Sequence, residues 1–347
     1  MTSKKTPIIK RATLRDVAAR ASVSVMTVSN VINKHFEYVG DETRARVEKA
    51  IGALNYIPNA TSRRLRSTHE FSVGMVIIDE AAAFLSDPFN TEIVAGLSNH
   101  LSVNNYSLSI QGIHPAHIKE TRLFSGIEID ALCVNQCGSD SSRRKNVEGL
   151  LARSIPIILL EETLEFDNPN IAIINQDDFT GGHIIASHLL SRNVKKILFL
   201  SPLLDWPAIH ARKKGVLAAL EEHGGGAKLD TCYCSRENFS ATQDAIRNYI
   251  RENGEPDAIL GSNDRLGIAA MRYCQEHDLR VPEDILITGF NGFESSQYTN
   301  PTLTTVISSA YEMGQYAGGL IIQRLQTGSF SKQTTHYPVR FQQGRST

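Results

Sequence analysis

Asp177 and Asp178 stand side by side, and paired carboxylates are a common means of acid–base chemistry. Such a pair works when both groups face one substrate. Adjacent residues at a strand end point to opposite sides, and the N-terminus of a helix favours acids for electrostatic reasons alone. No nucleophile elbow, phosphate-binding glycine loop or metal cluster accompanies them. His183 and His188 are five apart, poor spacing for one helical face and so for a metal pair. The cysteines, Cys133, Cys137, Cys232, Cys234 and Cys274, form no CxxC pair and have no histidines at zinc spacing. They read as buried, reduced thiols, and Cys232-Tyr233-Cys234 alternates like a strand with both sulfurs on one face. The sequence therefore predicts a protein that is not an enzyme and uses no metal or other cofactor.

A chain of 347 residues is long enough for two or three domains. Its formal charge of −1 conceals an uneven distribution. Residues 1–70 hold 13 Lys/Arg against 6 Asp/Glu, a balance of +7, and residues 71–347 hold 23 against 31, a balance of −8. A basic head on an acidic body suggests that the head meets a polyanion. No run of 18 apolar residues is present, so no membrane contact is expected. The first ten residues lack the apolar core of a secretory signal, which points to the cytoplasm.

In the head, Thr13-Leu14-Arg15-Asp16 has the spacing of a helix N-cap with an acid three residues on. Leu14, Val17, Ala18 and Ala21 follow at the spacing of one apolar helix face. Ser22-Val23 makes a tight turn, and Ser24 caps a second helix with Val28, Val31 and Ile32 inward. Asn33 to Gly40 reads as a polar loop. A third helix starts near Asp41 with Val47, Ala50, Ile51 and Leu54 inward, and Pro58 ends it. Two short helices joined by a tight turn and followed by a third make a helix-turn-helix unit.

The strings Thr13-Leu14-Arg15-Asp16-Val17-Ala18, Val23-Ser24-Val25-Met26-Thr27-Val28-Ser29-Asn30-Val31-Ile32-Asn33 and Leu54-Asn55-Tyr56-Ile57-Pro58-Asn59 resemble the lactose/galactose repressor family. The resemblance runs over almost the whole chain. It implies that the second helix enters the major groove of double-stranded DNA, with Val25, Met26 and Asn30 facing the bases. Val25 and Met26 offer apolar contact to thymine methyls, and Asn30 can pair bidentately with adenine. Most members carry arginine at the position of Asn30, so the half-site should depart from the usual one. Ser24, Thr27, Ser29 and Asn33 match positions that hold phosphates. Residues 59–69 match the hinge, which becomes helical on operator DNA. There Ser62 should contact the minor-groove floor, and Leu65 should insert as a wedge that kinks the duplex.

From Phe71 short apolar runs alternate with helical stretches: Val73–Ile78, Leu108–Ile110, Ala131–Val134, Pro156–Leu160, Ile171–Ile174, Lys196–Leu200, Ala258–Leu260 and Ile285–Thr288. Continuous apolar strands between helices indicate parallel sheets buried on both faces. The resemblance implies an N-terminal all-α helix-turn-helix head plus an α/β periplasmic-binding-protein-like body of two Rossmann-like, doubly wound subdomains. The expected boundaries are 1–58 for the head, 59–69 for the hinge and 70–347 for the body. Within the body, about 70–172 and 309–335 would form one subdomain, and about 173–308 and 336–347 the other.

Ligands of such sheets bind at the carboxyl ends of strands. Segments similar to the family's include Asp87-Pro88-Phe89-Asn90, Asp177-Asp178-Phe179-Thr180-Gly181-Gly182 and Ala211-Arg212-Lys213-Lys214-Gly215. Carried over, Arg212 holds polar groups of a small-molecule effector, Asn263 and Asn291 share hydroxyl recognition, and Phe239 stacks on the ligand. Phe89, Asn90 and Glu161 complete the expected site. Glu161 and Asn291 both stand where many members have aspartate, and Asn291 can donate as well as accept. The reading is a sequence-specific transcription repressor, a homodimer on a near-palindromic operator, controlled by a sugar or sugar derivative. A solute-binding protein on the same body would leave residues 10–66 unexplained, and a sugar-modifying enzyme would lack a nucleotide motif and a catalytic constellation.

Overall fold

Thr13 and Asp16 close a capping box: Thr13 Oγ1 accepts the Asp16 N–H at 3.3 Å, and the Asp16 carboxylate takes the Thr13 N–H at 2.7 Å. Helix α1 (Leu14–Ala21) runs from this cap and stops at Ser22, whose backbone is left-handed at φ 54°. Ser24 Oγ accepts the Thr27 N–H at 3.0 Å and begins α2 (Val25–Ile32). The computed structural model describes residues 12–32, 35–54, 56, 72–79, 84–118, 123–124, 127–224, 226–234 and 239–347. Asn33, Ser62, Leu65 and the whole expected hinge lie outside the described residues. The chain divides into two units, residues 1–70 and 71–347.

In the first unit, α3 (Asp41–Ala53) completes the core. Val17, Val28 and Val47, one from each helix, are fully buried among Ala18, Ala21, Val31 and Ala50. Each such valine contributes about 1.5–3 kcal/mol relative to exposure. The segment expected as a polar loop holds a 3₁₀ turn at Phe36–Tyr38, after which Val39 enters the core. Tyr56 joins it as well.

The second unit carries two parallel sheets. The first holds β1 (Ser72–Ile78), β2 (Ser107–Ile113), β3 (Ala131–Gln136), β4 (Ile157–Leu160), β5 (Ile171–Gln176) and β11 (Thr334–Tyr337) in the order β11-β5-β4-β3-β1-β2. Helices α4 (Pro88–Val103) and α10 (Ala310–Thr327) cover one face, and α5 (Asp140–Leu151) the other. The second sheet holds β6 (Lys196–Pro202), β7 (Lys228–Cys234), β8 (Ala258–Gly261) and β9 (Leu286–Thr288) in the order β7-β6-β8-β9. Its faces are covered by α6 (Asp178–Leu190) with α7 (Pro207–Glu222), and by α8 (Phe239–Asn253) with α9 (Asp264–Glu276). Strands β10 (Thr305–Ile307) and β12 (Arg340–Gln342) pair antiparallel beside it.

Every apolar run named above falls on a strand of these two sheets. The chain crosses between the sheets at Gln176–Asp178, Ile307–Ala310 and Tyr337–Arg340. Two crossings therefore fall later than the expected boundaries at 172 and 335. Strand β5 stays paired in the first sheet through Gln176, and β11 pairs with it through Tyr337. Cys234 is buried and Cys232 packs on the same core, while Tyr233 between them is exposed.

One close approach positions the centre of the body. A Cβ at Gly182 would lie 2.0 Å from the Arg212 carbonyl oxygen, and one at Gly215 would lie 2.0 Å from that of Phe179. Helices α6 and α7 thus cross backbone to backbone, which sets where Arg212 stands. Gly149, on the exposed side of α5, has no atom near its missing Cβ. Gly182→Ala is expected to destabilise the body by about 1–3 kcal/mol through overpacking. Gly149→Ala should stabilise it by about 0.5–1 kcal/mol through helix propensity. Urea unfolding of both variants checks this; equal effects would show that the crossing yields without cost.

Candidate functional site

The first turn of α2 presents apolar surface. Val25 and Met26 are 44 % and 61 % exposed. Asn30, half-buried, lies four residues after Met26 and so on the same helical side. Ser24 and Thr27 hydroxyls hydrogen-bond each other at 2.9 Å at the helix start. Ser29, expected at a phosphate, is more buried than Ser24 and Thr27. It is 9 % exposed, because it adjoins the inward positions Val28 and Ile32.

In the body, Arg212 on α7 is buried and meets a separate acceptor with each nitrogen. Nε donates to Asp178 Oδ1 at 2.7 Å, Nη1 to the Ser262 carbonyl at 2.7 Å and Nη2 to Asn291 Oδ1 at 3.2 Å. Its guanidinium carbon lies 3.9 Å from the centre of the Phe290 ring. The cluster continues into the other subdomain. Gln176 Nε2 donates to Asp178 Oδ1 at 2.8 Å, and the Ser308 hydroxyl donates to Gln176 Oε1 at 2.5 Å. Glu161, at the end of β4 with φ 54°, accepts the Gln176 N–H at 2.7 Å. Two of the three sheet crossings thus meet on one glutamine.

The other expected effector residues separate into two groups. Asn291 joins the cluster through Arg212, and Asn263 caps α9 by accepting the Leu266 N–H at 3.0 Å. Phe89 and Asn90 do not line a surface. Asp87 caps α4 through the Phe89 N–H at 3.0 Å, and the next residues turn beneath the sheet. Phe89 packs in the core, while Asn90 is fully buried, donating to the Phe84 carbonyl and accepting from Asn135 Nδ2 at 2.8 Å. Phe239 opens α8 at 49 % exposure. Sequence reasoning passed over Asn135, Gln176, Ser262 and Asp264 and read Asp178 only as a helix-terminal acid. The available signal was polar residues closing apolar strands, as Asn135-Gln136 and Asn175-Gln176 do.

Electrostatics follow from burial. Burial, then the neighbouring Asp178 carboxylate, holds Glu161 well above the usual carboxylate range. Burial pushes Asp264 up to about 7, against the Thr305 hydroxyl at 2.6 Å, the Phe293 N–H at 2.8 Å and the Arg212 charge. Among the described residues no group of three or more His, Cys, Asp or Glu is placed to hold a metal ion. On one flank the subdomains touch directly: the Gly138 N–H donates to the Asp205 carbonyl at 2.8 Å, beside a cleft of about 770 Å³ that Phe179, Leu203 and Tyr233 help to line. The folded chain keeps the Asp264 proton to about pH 7, whereas the unfolded chain releases it near 3.8. This contribution to stability is complete below the unfolded value and lost as pH rises to about 7. Asp264→Asn should flatten the fall in unfolding free energy between those limits; parallel pH profiles for both proteins would contradict the assignment.

The family described as bacterial regulatory proteins, lacI family, matches residues 13–59, and the periplasmic binding protein-like domain matches residues 186–347. The HTH-type transcriptional repressor PurR of Vibrio atlanticus (strain LGP32) is 29% identical over 330 residues, covering 92% of this chain and 94% of the relative. The ribose operon repressor of Haemophilus influenzae is 27% identical over 318 residues, covering 91% and 92%. The Lac repressor dimer bound to operator and the anti-inducer ONPF shares the fold, with a TM-score of 0.82 and 24% identity over 97% of this chain and 99% of that one. With a capped helix-turn-helix head, two parallel sheets in the second unit and repressors among the relatives it matches over more than nine-tenths of their length, the chain is a DNA-binding transcription regulator, not an enzyme, and its residues 13–59 are similar to the lacI family of bacterial regulatory proteins.

Proposed function

We propose that this chain represses transcription as a homodimer on a near-palindromic operator, and that a small sugar or sugar derivative bound at the Arg212 cluster controls its grip on DNA. The observation that carries the effector site is the chain of contacts from Arg212 through Asp178 and Gln176 to Ser308, which ties both subdomains at their crossings. A ligand competing for Arg212 and Asn291 changes those ties, and a ligand shifts an equilibrium only through such differential contacts. Glu161, Asn263 and Asn135 extend the same site, with Phe239 at its margin. The Lac repressor structure named above is a dimer holding operator and anti-inducer together, which supports this division of labour.

In the head, Val25, Met26 and Asn30 read bases, while Ser24 and Thr27 contact phosphates. Asn33, Ser62 and Leu65 complete the DNA contacts of the proposal. Two heads are needed because one helix reads only a few base pairs. Val25 and Met26 have no polar side-chain atom, so Asn30 carries the hydrogen-bonded readout. Asn30→Arg should move the preferred base toward guanine at one symmetric operator position, by about 1–3 kcal/mol. Identical site logos from a binding-site selection on both proteins would remove that role.

Arg212→Ala should leave operator binding near that of the unchanged protein and abolish the response to effector. An operator titration with and without effector, with circular dichroism to verify folding, measures both. A folded variant that responds at the same effector concentration would reduce Arg212 to a structural ion-pair partner.

A further inference from the structure

The cleft of about 770 Å³ on the flank of the body gathers exposed apolar surface. Phe179, Leu203 and Tyr233 all line it and are all about half exposed or more. Single exposed apolar residues need no explanation, but several at one concave place mark an interaction site. The volume falls within the range of about 300–1,000 Å³ that small-molecule sites occupy.

The charges along this cleft are unevenly paired. On the side of the first subdomain, buried Arg143 is held by Glu162 at 3.1 Å and by Asp140 at 2.9 Å. On the side of the second, His210 is hydrogen-bonded to Asp205. Asp140 and Asp205, the two acids on the lining, are thus each engaged by a protein cation or imidazole. Lys213 and Lys214 line the cleft as well, and neither has an ion pair or hydrogen bond among the described residues. They follow His210 by three and four residues, so all three rise from one side of α7. Lys213 Nζ lies 6.0 Å from the centre of the Tyr233 ring, which sets an uncompensated charge beside an exposed aromatic.

We infer that this cleft is a second ligand site, separate from the Arg212 cluster, and that it takes a phosphorylated ligand with a flat ring, a nucleoside monophosphate in class. A phosphate monoester carries nearly two negative charges at neutral pH, which two ammonium groups match. A carboxylate carries one and a neutral sugar none, so either leaves a lysine uncompensated. Tyr233 and Phe179 offer the ring faces on which a base stacks. The walls come from both subdomains: α5 supplies Asp140 and Arg143, and the second subdomain supplies Phe179, Tyr233 and the α7 lysines. The Gly138–Asp205 backbone bond joins the two sides there. An occupant that binds one placement of these walls better than another therefore biases the subdomains from outside the Arg212 cluster.

Isothermal titration calorimetry on the full chain tests this with adenosine, guanosine, cytidine and uridine monophosphates, each beside its nucleoside, and with ribose 5-phosphate and inorganic phosphate. At least one nucleotide is expected to bind about tenfold or more tighter than its nucleoside and than ribose 5-phosphate, the ratio that one charge-assisted hydrogen bond supplies. Lys213→Gln with Lys214→Gln should remove the advantage over the nucleoside, and Tyr233→Ala the advantage over ribose 5-phosphate, with circular dichroism to verify folding. All three side chains reach solvent, so neither variant opens a core cavity. A nucleoside that binds as tightly as its nucleotide overturns the phosphate contact. Ribose 5-phosphate or inorganic phosphate that binds as tightly overturns the ring contact. Nucleotide affinity that the lysine variant keeps places the ligand elsewhere, the basic head included, and overturns the inference, as does no binding of any of the four nucleotides.

Discussion

The ion pair between Arg212 and Asp178 is what the body is arranged around. Both partners are almost wholly out of solvent, and their atoms meet at 2.7 Å. Taking two charges out of water carries a large desolvation penalty, repaid only when geometry is good and the remaining hydrogen-bonding positions are filled. Here the filling groups come from different parts of the chain: the Ser262 carbonyl after β8, Asn291 after β9, and Gln176 at the end of β5. The Phe290 ring covers the guanidinium face. The pair can form only because α6 and α7 cross without side chains between them at Gly182 and Gly215. A change at the crossing, at either charge or at the strand ends thus acts on the same point.

That arrangement has a consequence for switching. Gln176 and Ser308 belong to two of the three crossings between subdomains, and both connect to Asp178. The Gly138–Asp205 backbone bond forms a further link on the cleft's flank. Polar contacts at the cluster and on its flank therefore link the two subdomains, and Phe293 of the second packs on the core of the first. Polar contacts of this kind can be exchanged for ligand contacts at small net cost, whereas a packed core cannot. A ligand that takes over part of the Arg212 or Glu161 contacts can thus bias one arrangement over another.

Much of this fold was legible in the residues because local signals agreed with tertiary demands. Thr13 and Asp16 form the cap that their spacing indicates, and each continuous apolar run became an inner or paired strand. The strands passed over, β10, β11 and β12, are short, and of β7 only Cys232–Cys234 showed a strand pattern. β7 and β11 are also edge strands, whose polar faces erase the apolar run. The site was legible only in part. Arg212 and Asn291 carry motifs of their own, but Asp178 resembles any acid at a helix start, and its pairing across 34 residues leaves no local trace. Phe89 and Asn90 carry a motif of their own as well. Their motif marks a capped helix start, and the cap turns them into the interior.

Buried acids in this body differ in how fully their own neighbourhood satisfies them. Arg143 and Glu162 form a second buried ion pair at 3.1 Å, and Glu162 there also accepts the Thr163 and Leu164 N–H groups. Its demands are met from its own neighbourhood, and it needs no ligand to explain it. Glu161, one residue earlier, has a single backbone donor from Gln176 and faces another carboxylate. Asp264 has three protein donors and is still driven toward neutrality. Evolution tolerates a buried acid in such surroundings where its charge is useful in another state of the protein. The contrast between adjacent residues is physical: Glu162 has its hydrogen-bonding positions filled by its own neighbourhood, whereas Glu161 has one backbone donor and a carboxylate for a neighbour.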